Sequence, residues 1–258
     1  MSADIGRPKP LEAIETYYDA VPRSAADAET VGPFTLFVGR GTWGYYARPA
    51  LGTVREIGAD DVQMLRERQR EIDVAEEIEW QQSVTPSLAD ACRGAGMTVH
   101  RFRLLVHDGS TSSGSAVDVR LAVPADDLTS LLSVQQQGFD GSAEVDPSIA
   151  EHLAARVAAG TSRVAAAFSH GHPVSVGVHQ PVGEVSEVVG VATLPTHRRQ
   201  GWAGSLTRAL VADAQALRVR TMFLSAADDA VARVYQRVGF RDVGVVCAAE
   251  PTAASRSS

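Results

Sequence analysis

The chain has 258 residues, a formal net charge of −7 and an apolar share of 45%, which suits one large domain or two of the common ~100–150-residue size. Its acidity, with Lys9 as the sole lysine, argues against a nucleic-acid partner, because nonspecific binding depends on clustered Lys and Arg displacing counterions from phosphates. No apolar run reaches the ~18–20 residues of a membrane helix and no basic-then-apolar leader opens the chain, so a cytoplasmic protein with no membrane partner is expected.

In chain order, the first half opens with a helix whose apolar face is Leu11, Ile14, Tyr18 and Val21. Two strand-like runs follow, Phe34 to Val38 and Trp43 to Ala47, then a strand at Val54 to Ile57 and a helix from Asp60 to about Ile72. A strand at Ala75 to Trp80 leads to a Pro86-led helix ending at Gly96, and a strand from Val99 to Val106 closes this half. Gly39-Arg40-Gly41-Thr42-Trp43-Gly44 satisfies Gly-x-Gly-x-x-Gly, but a dinucleotide site needs a helix next and Tyr45-Tyr46-Ala47-Arg48-Pro49 is poor helix material, so a hairpin turn is expected. The alternating charges from Arg66 to Glu71 read as a solvated helix face. Cys92 and Cys247 match no zinc or redox spacing and read as packing residues.

The small-polar run Gly109 to Ser115 is the clearest linker. Beyond it come a strand at Val117 to Val123, a helix capped by Asp126 with Leu128, Leu131, Leu132 and Val134 on its apolar side, and a second helix started by Asp146-Pro147 and stopped by Gly160. Arg163 to Phe168 and Val174 to Val178 form a hairpin around His170-Gly171-His172, whose histidines have no further ligands nearby and suggest no metal. A longer strand from Val185 to Leu194 stops at Pro195. A helix from about Trp202 follows (Leu206, Leu210, Ala214, Leu217), then a strand at Met222 to Ala226, a helix bearing Val231, Val234, Tyr235 and Val238 closed by Gly239, and a strand at Val243 to Cys247. The order β-α-α-β-β-β-α-β-α-β is an α/β arrangement with a mixed sheet. The first half echoes it, and Cys92-x-x-x-Gly96-Met97 parallels Tyr235-x-x-x-Gly239-Phe240, as an internal duplication would produce.

The stretch from Val191 to Ser205 carries the chemistry. A strand ends at a proline, a loop holds Arg198 and Arg199, and small residues open a long helix. Helix N-termini expose unpaired N–H groups and a partial positive charge, so they attract anions. Gly201, Ala203 and Gly204 allow close approach of a phosphate, and the two guanidiniums can add charge-assisted hydrogen bonds. The expected structure is a pyrophosphate cradle that needs no metal.

Arg198-Arg199-Gln200-Gly201-Trp202-Ala203, preceded by that strand, resembles the acyl-CoA-binding motif of the GNAT superfamily of N-acetyltransferases, Arg/Gln-x-x-Gly-x-Gly/Ala. The helix from Asp228 to Phe240, with Tyr235 followed by x-x-x-Gly-Phe, is similar to the family's second marker, although the family usually has Asn where Asp228 stands. The resemblance covers about half the chain, from about 117 to 250. It implies a mixed central sheet with flanking helices, and with the echo in the first half two tandem GNAT-like halves are expected. Residues 1–109 would be a degenerate or accessory domain, 110–116 a linker, 117–251 the acetyltransferase domain and 252–258 a disordered tail.

The resemblance further implies acetyl-CoA as cosubstrate, without a metal, and direct acetyl transfer to an amine of a small molecule or peptide. Cofactor contacts would come from Val191, Ala192, Thr193, Arg198, Arg199, Gln200, Gly201, Trp202, Ala203, Gly204, Ser205 and Asp228. A backbone N–H of Val191 or Thr193 would face the thioester oxygen. Tyr235 would protonate the departing thiolate, or else serve as a packed aromatic, which its helix face also fits. Glu187, fourteen residues before Gly201, stands where some of these enzymes keep a base; by alternation it points with Val189 and Val191 unless a bulge intervenes. An edge-exposed glutamate is the other reading, and Glu184 is a weaker substitute. A non-catalytic acyl-CoA-binding regulatory protein is the alternative function, and a homodimer is left open.

Overall fold

A computed structural model describes residues 9–41, 44–110, 117–123 and 126–252. Backbone contacts divide the chain into two compact units. The first comprises the residues up to Leu104, Ser225–Asp228 and those from Asp242 on; the second comprises Leu105–Leu224 and Asp229–Arg241. The division therefore falls before the small-polar run, and the last strand groups with the first unit. Of the expected linker, residues 111–116 lie outside the described residues, as do 253–258 of the expected tail.

In the first unit, helix α1 (Pro10–Arg23) starts on a proline, and the Glu12 side chain accepts the Lys9 N–H at 3.2 Å. Strand β1 (Ala26–Val31) pairs residue by residue with β2 (Phe34–Gly39), from Ala26↔Gly39 to Val31↔Phe34. With Asp27, Glu29 and Thr30 inside it, β1 lacks the apolar alternation that marks a strand, which is why the sequence reading missed it. The expected strand from Trp43 is only β3 (Arg48–Pro49), antiparallel to β2; residues 44–46 are irregular, and Thr42 and Trp43 lie outside the described residues. The expected hairpin turn of the Gly-x-Gly-x-x-Gly segment falls in part on Thr42 and Trp43, outside the described residues; Gly39 ends β2.

Val54 to Ile57 is irregular rather than a strand. Val54 is fully exposed, and Ile57 alone enters the core just ahead of α2 (Ala59–Glu71). Strand β4 (Ile78–Gln81), helix α3 (Leu88–Gly94) and β5 (Met97–His107) follow, with Gly96 at φ +78° turning α3 into β5. Strand β11 (Phe240–Pro251) runs antiparallel to β4, placing Cys247 opposite Trp80. Phe34, Leu36, Ile57, Leu65, Trp80, Leu88, Cys92 and Cys247 share one core. Each large side chain there contributes about 1.5–3 kcal/mol through burial. Both cysteines are buried and unpaired, and burial pushes the Cys92 thiol up to about 12, so it packs rather than reacts.

The second unit holds β6 (Asp118–Leu121), α4 (Leu128–Phe139), α5 (Pro147–Ala158), β7 (Arg163–Ser169), β8 (His172–Val182), β9 (Val185–Thr193), α6 (Trp202–Ala216), β10 (Thr221–Ala226, up to Leu224) and α7 (Asp229–Gln236). Its strands lie in the order β10-β9-β8-β7-β6, with β9 and β10 parallel and the other pairs antiparallel. This is the mixed sheet and the element order expected, and seven α-helices accompany the strands among the described residues of the chain.

Two caps differ in detail. Asp127, not Asp126, caps α4, accepting the Ser130 N–H at 3.1 Å, while Asp126 accepts the Val123 N–H at 2.7 Å. Asp146 caps α5 as expected. One face of the sheet packs Val164, Ala166, Val176 and Val178 against Leu128, Leu131 and Val134 of α4. The other face carries α6, whose Leu206 and Leu210 lie over Gly177: a Cβ there would come within 3.1 Å and 3.4 Å of them. Leu217, expected on that helix face, falls past the helix end and is exposed.

Candidate active site

Strand β9 changes character along its length. Its parallel pairing with β10 runs from Thr221↔Val185 to Phe223↔Glu187, and beyond it Val188, Val189, Ala192 and Thr193 pair with β8. Val178 faces Val189 and Val176 faces Ala192, so two residues of β9, Gly190 and Val191, stand opposite Gly177. Gly190 takes φ +63°, a left-handed value that glycine adopts without steric cost. The bulge resolves the alternation question. Glu187 and Val189 share the α4 face with Val178, whereas a Val191 methyl lies against Gly177 on the α6 face. Glu187 is half-buried and paired in register on both sides, with Gln180 and Phe223, so the edge-exposed reading does not hold.

After β9 the chain makes a short 3-10 turn at Pro195–His197. Arg199 then takes φ +62° and Gly201 φ +85° before α6 begins. Left-handed residues at such a corner turn successive N–H groups toward one side, the geometry of anion-binding concavities. The first amides of α6 have no intrahelical acceptors, and a Cβ built on Gly201 would meet nothing within 4 Å, so the space before the helix is open. Gln200 braces the loop, accepting from Trp202 Nε1 at 3.3 Å and donating to the Thr196 carbonyl at 3.3 Å. The Ser205 hydroxyl donates back to the Gly201 carbonyl at 3.1 Å.

A cleft of about 540 Å³ gathers these elements. Of the expected site residues, Val191, Ala192, Thr193, Arg198, Arg199, Gly201, Trp202, Ala203, Gly204 and Tyr235 line it; Glu187, Gln200, Ser205 and Asp228 do not. Asp228 is exposed at the residue before α7 and groups with the first unit. Sequence reading missed Arg208 and Arg237, two further guanidiniums in the cleft, and Gly138 at the end of α4. It assigned Val231, Val234 and Val238 to the packing face of α7, whereas they also wall the cleft; their spacing around Tyr235 was the available signal. Tyr235 is buried, its ring edge-on to Phe240 at 6.0 Å, and burial pushes its phenol up to about 12.

The sequence pattern of the acetyltransferase (GNAT) family matches residues 126–240. Residues 126–240 carry a GNAT-family domain. Among curated proteins none matches the chain. Among solved structures it is similar to a GCN5-related N-acetyltransferase from Kribbella flavida, at 20% identity over 95% of this chain and 97% of that one, with a TM-score of 0.73. It is also similar to a GCN5-related N-acetyltransferase-like protein from Streptococcus suis (11% identity, 93% and 98% covered, TM-score 0.59). A tandem GNAT protein from the clavulanic acid biosynthesis pathway matches at 16% identity over 84% and 78%, with a TM-score of 0.55. At these identities the likeness is one of fold, and it spans the residues of both units.

Within the GNAT-family domain, the donor set fits an acyl-CoA. Arg199, Arg208 and Arg237 and the amides of the α6 N-terminus suit phosphates. Val191, Val231, Val234 and Val238 suit an apolar arm. Among the described residues no group of three His, Cys, Asp or Glu side chains could hold a metal ion, and no helix is long and apolar enough to cross a membrane.

Proposed function

We propose that the chain is an N-acetyltransferase that moves the acetyl group of acetyl-CoA directly to an amine of a small molecule or peptide. The observation that carries this reading is the cleft itself, which joins the far end of bulged β9, the open N-terminus of α6 and the Tyr235 phenol. Acetyl-CoA, when bound, supplies an activated acetyl thioester. The α6 amides with Arg199 and Arg237 would hold its phosphates, and the backbone from Val191 to Thr193 would offer N–H groups to the thioester oxygen.

Glu187 would take the proton that the attacking amine must lose. It sits at the last position where β9 and β10 pair, four residues before the cleft wall begins at Val191. Tyr235 would serve the departing sulfur. A phenol raised to about 12 stays protonated through the neutral range. It is also a weaker acid than a thiol near 8.5, so its first contribution is a hydrogen bond to the sulfur rather than complete proton transfer.

The test is calorimetric titration with acetyl-CoA of the native chain and of Gly201→Glu. That substitution puts an anion at the α6 N-terminus and a side chain on a left-handed residue. Binding by the native chain that the variant loses by more than about tenfold supports the reading. A folded native chain that binds no acetyl-CoA ends it.

A further inference from the structure

We infer that the two neighbouring arginines of the α6 loop do different work: Arg198 is a positioning residue that clamps the last turn of α4 to the end of β9, and Arg199 is the one left to meet phosphates. The assignment of Arg199 rests on the acetyl-CoA reading above; the assignment of Arg198 stands on contacts within the GNAT-family domain.

The Arg198 guanidinium is already engaged by two carbonyls from two elements. Nη2 donates to the Gly138 carbonyl at 2.6 Å, and Nε donates to the Thr193 carbonyl at 3.4 Å. The last carbonyls of a helix lack intrahelical donors and carry partial negative charge, so a cation at the end of α4 meets both needs. Two further features make the same joint. Gln135 Nε2 donates to the carbonyl of Gly190, at the β9 bulge, at 2.6 Å. Gly138 leaves no room for a side chain: a Cβ would stand 2.7 Å from Ala192 Cβ and 3.1 Å from the Thr193 nitrogen.

The segment held in this way, Gly190 to Thr193, includes Val191 to Thr193, the wall of the cleft whose backbone would face the thioester. Turning Arg198 toward a phosphate would break both of its hydrogen bonds and leave the end of α4 open. Arg199 faces no such cost. It is exposed, lines the cleft and, among the described residues, its guanidinium has no hydrogen-bond partner. Arg198 therefore holds the cleft wall through α4 and β9, not through contact with the cosubstrate.

The experiment compares the native full-length chain with Arg198→Gln, Gly138→Ala and Arg199→Gln by two readouts. One is amide hydrogen exchange of residues 135–140 without ligand; the other is calorimetric affinity for acetyl-CoA. Arg198→Gln and Gly138→Ala should both speed exchange at the end of α4 by about tenfold or more, as local opening becomes easier, with exchange in β7 and β8 unchanged as the fold control. The acetyl-CoA affinity of Arg198→Gln should move by less than about threefold, whereas Arg199→Gln should lose about tenfold, the usual scale of one charge-assisted contact, with α4 exchange unchanged; Gly138→Ala, which presses on Ala192 of the cleft wall, is read by exchange alone. Arg198→Gln losing affinity like Arg199→Gln while exchange stays native overturns the division of labour. If the native chain binds no acetyl-CoA, the acetyltransferase reading and the role of Arg199 fall, and exchange alone decides the clamp.

Discussion

His179 Nε2 lies 2.8 Å from Asp213 Oδ2, and the same carboxylate receives Arg163 Nε at 2.8 Å and Nη2 at 2.7 Å. His179 Nδ1 in turn lies 2.8 Å from the Ser186 hydroxyl. The network assigns the tautomer: Nε2–H donates to the carboxylate and Nδ1 accepts from serine. One buried chain of contacts thus ties β7, β8 and β9 to α6, beside the residue that precedes Glu187. Asp213→Leu would leave His179 and Arg163 without their acceptor inside the unit. Leaving the buried His179 N–H without an acceptor costs about 1–3 kcal/mol, so the urea midpoint should fall. A midpoint unchanged from native would show that the network contributes nothing to stability.

The same imidazole makes stability depend on pH. Burial, opposed by the Asp213 hydrogen bond, holds His179 below its ordinary 6.5. At pH above 6.5 the ring is neutral in both states and has no effect. Below that value the unfolded chain binds a proton that the folded chain resists, so stability falls as pH drops from there toward the folded value. His107 is shifted in the same direction by burial, its Nδ1 accepting the Gly109 N–H and its Nε2 facing the Val238 carbonyl. Denaturant midpoints should therefore fall between about pH 7 and about pH 5. His179→Gln should remove part of that slope and leave the part that belongs to His107; an identical slope in the variant would rule His179 out as a source.

The second unit was legible because its signals are local. Proline and glycine stops, N-cap aspartates and apolar periodicity lie next to the elements they define, and the element order from β6 to α7 follows from them. Helix α6 and its loop were legible for the same reason. What failed depends on partners distant in sequence. Strand β1 exists because β2 pairs with it, Val54 to Ile57 is irregular because only Ile57 has a core to enter, and β11 supplies Cys247 to a core built mostly from the first hundred residues. The site divides in the same way. The arginine loop reads directly from the chain, but the occupation of Arg198 by Gly138 spans sixty positions, and no spacing rule reveals it.

Glu187→Gln keeps the size of the side chain and its place between Gln180 and Phe223 while removing the base. If Glu187 takes the proton of the attacking amine, kcat/KM at neutral pH should fall by about 10²–10⁴. The loss should shrink as pH rises, because an amine that is already neutral needs no base. Initial rates with a responsive amine from about pH 7 to about pH 10 give the profile. A loss that stays constant across that range would remove Glu187 from the proton path.

Tyr235→Phe separates catalysis from packing, since the ring keeps its contact with Phe240 and only the hydroxyl leaves. A purely structural Tyr235 predicts native turnover with native stability. A hydrogen bond to the departing sulfur predicts a fall in kcat of about 10-fold to 10²-fold, with the KM for acetyl-CoA little changed, because the interaction strengthens only as charge develops. The phenol, held up to about 12 by burial, stays protonated at every practical assay pH. The native chain should therefore show no alkaline decline that the variant lacks. Thiol release measured against pH for both proteins reads turnover and pH dependence together, and unchanged kcat in the variant would return Tyr235 to the core.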